Sequence, residues 1–87
     1  MKKLFCYNLE KLSNPHKNKF RKDLLGHNDA SHNGKYKYKR DGLLQRIWNK
    51  KPVRSVVIVK EVDAKEVIKI LKKWNVQYVV YIVHEEL

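Results

Sequence analysis

Val56-Val57-Ile58-Val59 is apolar on both faces of any strand it forms. A strand with one wet face alternates apolar and polar residues, whereas this run needs cover on both sides. The chain is therefore built around a sheet in which residues 53–62 form a strand. The other elements are read outward from it.

Residues 3–9, Lys-Leu-Phe-Cys-Tyr-Asn-Leu, are rich in strand formers and predict a first strand. Ser13-Asn14-Pro15 is a helix start, with Ser or Asn as N-cap and Pro in the first turn. The helix runs to Leu25, with His16, Phe20 and Leu24 on one face and Gly26 as its C-terminal cap. Residues 27–34 are polar and turn-rich and predict a loop. Residues 35–40 alternate Lys and Tyr and predict a second strand. Residues 43–47 fit one helical turn or an extended continuation, and 49–52 form a basic break. After the 53–62 strand, Asp63 and Glu66 match a capping box. Val67, Ile70, Leu71 and Trp74 form the buried stripe of a second helix. Asn75 is placed to cap it in the left-handed region, and 76–84 form a last strand.

The order is β-α-β-β-α-β in a single domain spanning 1–87. The expected fold class is α+β: a ferredoxin-like plait, with a four-stranded antiparallel sheet and both helices on one face. Right-handed crossovers put the first and third strands in the centre and the second and fourth at the edges. The last strand, apolar on both faces, should not stay bare at an edge, and a homodimer is expected.

Charge is distributed unevenly. Residues 1–54 hold 15 Lys/Arg and 4 Asp/Glu, whereas 55–87 hold 5 of each. One part of the protein is thus expected to face a polyanion while the other builds the core. Lys17, Lys19, Arg21, Lys22, Lys35, Lys37, Lys39, Arg40, Arg46, Lys50, Lys51 and Arg54 are the candidate phosphate contacts. Trp48 and Tyr38 are the candidate base-stacking residues, beside that charge. For Tyr36 and Tyr38 the alternative is core packing with the hydroxyl at the rim.

Leu4-Phe5-Cys6-Tyr7-Asn8-Leu9 resembles the first-strand motif of RNA-recognition-motif domains: aliphatic, aromatic, aliphatic, any residue, Asn or Gly, then Leu. The resemblance covers these six residues and the element order. It implies Phe5 as a base-stacking position on the open sheet face. Arg54-Ser55-Val56-Val57-Ile58-Val59 has the basic start and apolar alternation of that family's third strand but lacks its two aromatics.

The chief expectation is a small basic nucleic-acid-binding domain, with DNA and RNA equally open. One alternative is a small ferredoxin-like nuclease using His27 and His32 for proton transfer. Such nucleases of CRISPR and toxin systems carry an Asp at the end of the first strand, where this chain has Asn8 and Glu10. Another alternative is a protein-interaction domain with an acidic partner. A binding module is favoured over an enzyme because no compact acid/base set is evident. No metal or cofactor is expected, since the histidine spacing matches no metal motif. The single Cys6 is expected to be a buried small side chain. The lack of a long apolar stretch or a signal peptide points to a cytoplasmic protein without a membrane span.

Overall fold

The computed structural model describes residues 1–31 and 36–84, by their backbone alone at 28–31 and 36–38. Its elements are β1 (Lys2–Asn8), α1 (Asn14–Leu25), β2 (His27–Ser31), β3 (Tyr36–Arg40), α2 (Leu43–Arg46), β4 (Asn49–Lys50), β5 (Val56–Lys60), a 3₁₀ turn (Glu61–Asp63), α3 (Ala64–Lys73) and β6 (Gln77–Val83).

Four strands form one sheet in the order β4-β5-β1-β6, and every neighbouring pair is antiparallel. The two-sided apolar run in β5 is thus interior, with β1 beside it. Phe5 lies opposite Val57 on one side and Val80 on the other, so these three share a face. Phe5, Tyr7, Val57 and Val59 join Phe20 and Leu24 of α1 and Val67 and Leu71 of α3 in the core. Phe5, Phe20, Val57 and Val59 are wholly buried. Burying a Phe or Val of this kind stabilises the fold by about 1.5–3 kcal/mol.

Local signals set the helix ends. The Ser13 side chain accepts a hydrogen bond from His16 N–H at 3.4 Å, with Pro15 in the first turn. Gly26 ends α1 at φ 78°, and its N–H donates to Lys22 O at 2.9 Å. Asn75 follows α3 at φ 56°. At the base of the helices, Asp23 Oδ2 accepts from Trp74 Nε1 at 2.6 Å and from Lys73 Nζ at 3.1 Å, which ties α1 to α3.

Several expectations are corrected. Residues 27–31 are a strand rather than loop, and they pair with β3 as a separate two-stranded sheet. The Lys-Tyr alternation finds its partner in the nearest extended segment, where loop closure costs least. It therefore does not form the sheet edge. That place is taken by Asn49–Lys50, which had read as a break and which pair with Val59 and Ile58. Residues 43–46 take the helical option, with Gln45 Oε1 accepting from Gly42 N–H at 2.7 Å. Asp63 makes no side-chain cap bond, because the 3₁₀ turn already precedes α3. The third strand is shorter than expected, and Val53 and Val62 are exposed. Trp74 and Cys6 are half-buried, and His16 is exposed with its ring centroid 6.1 Å from that of Trp74. Among the described residues no helix is long and apolar enough to cross a membrane.

Candidate nucleic-acid interface

Among the described residues, several of the basic side chains gather in three groups, and one of these is a cleft. Tyr7 ends the buried face of β1, and its hydroxyl accepts from Lys51 Nζ at 3.0 Å. The same ammonium donates to Val56 O at 3.3 Å and lies 5.4 Å from the centre of the Tyr7 ring. A cavity of about 250 Å³ opens there, lined by Arg21, Lys51 and Arg54 together with Tyr7, Ser55, Leu9 and Leu25. Three cations from α1 and the β4–β5 connection thus line one cavity, and among the described residues no carboxylate does. Asp23, the one acid of α1, is held by Lys73 of α3 and by Trp74 just beyond it, and is not among these lining residues. Lys17, half-buried, precedes Arg21 by one helical turn and extends the row.

The β4–β5 connection reaches the cleft through a tight turn. Val56 N–H donates to Val53 O at 3.4 Å, and Ser55 sits in the third turn position at φ 63°. That position ordinarily takes Gly or Asn. The Ser55 carbonyl accepts from Tyr7 N–H at 2.9 Å, which locks the turn to the end of β1.

A second cavity of about 220 Å³ is lined by His27, Lys39 and Arg40 with Leu25, Gly26 and Gln45. Leu25 borders both cavities, so the two basic groups flank the C-terminal end of α1. Gln45 Nε2 donates to Leu25 O and satisfies a carbonyl that the helix end leaves over.

The third group lies elsewhere. By register, Leu4, Cys6, Val56, Ile58, Val79 and Tyr81 occupy the sheet face opposite Phe5. Trp48 is 37 % exposed at the β4 end, with Lys2 Nζ 5.2 Å from its ring centre. Such a cation–π contact is worth about 0.5–1 kcal/mol at an exposed site. Lys50 is exposed beside Ile58. Phe5 points the other way into the core, because its pairing with Val57 and Val80 sets it on the buried face. The stacking position implied by the RNA-recognition-motif resemblance is therefore filled by core packing.

Of the remaining candidates, Lys19, Lys22 and Arg46 are exposed away from the first cavity's lining. Lys37 belongs to β3 and lies opposite Ala30 in the ladder. Tyr38 lies opposite Asp29. His32 and Lys35 lie outside the described residues. His27 is half-buried at the start of β2, opposite Arg40, rather than in a loop. Among the described residues no three His, Cys, Asp or Glu side chains gather as metal ligands. Sequence reasoning missed Tyr7 and Ser55. Tyr7 carries one available signal: a hydroxyl at the end of a core-facing strand needs a polar partner. Comparison with protein-family models, curated proteins and solved structures returns no match to the chain.

Proposed function

We propose that the protein is a nucleic-acid-binding domain on a ferredoxin-like plait, which holds phosphates in the cleft between α1 and the β4–β5 connection. The strand order supports the plait, with β4 standing where the second strand of that fold belongs. The core shared by α1 and α3 with one face of the sheet supports it as well. The observation that carries the function is the joint lining of one cavity by Arg21, Lys51 and Arg54, with no carboxylate among the described residues that line it. Clustered cations without acids repel one another and leave an anion as the natural counter-charge. Lys39 and Arg40 on the other side of the α1 end lengthen the track, and Trp48 offers an exposed stacking ring.

Binding to an oligonucleotide should depend strongly on salt. If about five phosphates are neutralised, log K falls against log salt with a slope near −4, from about 0.7–0.9 per phosphate. Fluorescence anisotropy between low and physiological salt measures it, and a flat response would remove the reading. Binding confined to acidic proteins would favour an interaction domain instead.

The active form is proposed to be a homodimer joined along β6. Among the described residues this strand pairs only with β1, and it carries Val79, Tyr81 and Ile82, each more than half exposed. They lie on both faces of the strand, a pattern that edge-to-edge pairing buries. Gln77–Val83 has no charged residue, so a second copy can approach there despite the net charge of +11. Tyr81→Lys should yield monomer or aggregate, since a buried unpaired charge costs about 3–5 kcal/mol. Light scattering that finds the unmodified protein monomeric at tens of micromolar would refute the dimer.

A further inference from the structure

We infer that the Arg21/Lys51/Arg54 cavity takes a terminal phosphomonoester, the phosphorylated end of a strand, rather than a phosphodiester within it. The inference rests on the nucleic-acid reading and adds which phosphate is chosen. The first reason is charge. An internal diester carries one negative charge, while a phosphomonoester carries about −1.5 to −2 at pH 7 and three strong acceptor oxygens. Three cationic side chains, with no acid among the described residues of the lining, are matched better by the second.

The second reason is shape. Three chain segments border the cavity: residues 7–9, α1 at Arg21 and Leu25, and residues 51–55. A strand passing through must enter and leave, whereas a strand end only enters. The third reason is the turn itself. Ser55 holds φ 63° without being glycine, and such residues concentrate where a ligand site demands them. Here the hydroxyl-bearing residue stands at the cavity wall beside Arg54, with its own carbonyl engaged by Tyr7 N–H. Lys51 is fixed as well, held between Tyr7 Oη and Val56 O. The cavity is thus shaped before a ligand arrives, and little ordering cost remains at binding.

The test uses the full chain and internally labelled DNA and RNA 12-mers bearing a 5′-phosphate, a 3′-phosphate or hydroxyls at both ends. At 0.15 M salt each neutralised charge multiplies affinity by about 4–5, from the counterion relation, so one phosphorylated end should bind about tenfold tighter than the hydroxyl form. The two phosphorylated arms identify which end is read. Arg54→Gln should bring the ratio close to one while weakening, without abolishing, salt-dependent binding of every oligonucleotide. Ser55→Gly should raise Tm by several degrees and shrink the ratio. Equal affinity for phosphorylated and hydroxyl ends, with salt-dependent binding retained, overturns this inference alone. A preference that survives Arg54→Gln also overturns it. Absence of salt-dependent binding to every oligonucleotide removes the broader reading with it.

Discussion

Arg21→Glu combined with Arg54→Glu is expected to weaken oligonucleotide binding by a few hundred-fold at physiological salt, with Tm nearly unchanged. Each reversal shifts the cleft by two charges, so four units of charge are lost at the proposed phosphate site. At about 4–5-fold per unit in 0.15 M salt, the product is a few hundred. Both side chains are exposed, and surface changes of this kind stay within about 0.5 kcal/mol. The informative comparison is Lys19→Glu with Lys22→Glu. That pair alters net charge by the same amount, on the helix that carries Arg21 but at residues that do not line the cavity. If the cleft is the site, the control loses only the long-range share of the attraction, which salt screens over about 8 Å. Equal losses in the two double variants would mean a diffuse basic surface and no defined cleft.

Such a cleft was not legible in the sequence, although most of the framework was. Ser13 and Pro15 at one end of α1 and Gly26 at the other are local signals, and the helix obeys them. Asn75 behaves likewise after α3. The apolar run in β5 and the strand formers of β1 predicted the two central strands, since burial on both faces leaves a run like 56–59 nowhere else to go. Partner choice was the failure. Lys-Tyr alternation in β3 indicates an extended segment but not which strand lies beside it. Asn49–Lys50 has no strand propensity and pairs because the chain passes the free edge of β5 there. The convergence of Arg21 with Lys51 and Arg54 spans thirty positions. It depends on a left-handed Ser55, which no propensity announces. Phe5 failed for a related reason. Alternation in β1 separates two faces without saying which one is buried, and the packing of Phe5 with Phe20, Leu24, Val67 and Leu71 in one core decides it.

Gly26→Ala should be among the most destabilising single changes in the chain, at about 2–6 kcal/mol. Two costs add. Gly26 has φ 78° and ψ 176°, a region essentially reserved for glycine, and a residue with a Cβ there loses about 1–3 kcal/mol. A Cβ at this position would also lie 2.6 Å from Arg40 O and 2.8 Å from Gly42 N. Both are backbone atoms that cannot swing aside, and overpacking of this kind costs about 1–3 kcal/mol more. A domain of this length has only about 4–13 kcal/mol in all. Urea unfolding should register the loss, and Tm should fall by about 10 °C or more, at about 4–8 °C per kcal/mol. Gly42→Ala separates the two costs. Gly42 has an ordinary φ of −88°, but its Cβ would meet Gly26 N most closely, and Leu24 C and O at 2.6 Å. It should therefore show the packing cost alone. The same crossing joins the end of α1, which carries Arg21, to the β2–β3 hairpin, which carries Lys39 and Arg40. Forcing the two backbones apart should therefore also spoil the alignment of the two basic cavities that Leu25 divides. Folded Gly26→Ala protein should lose oligonucleotide affinity even though no charge has changed. A variant with unaltered Tm and affinity would show that the chain leaves α1 by another path, and the two cavities would no longer be neighbours.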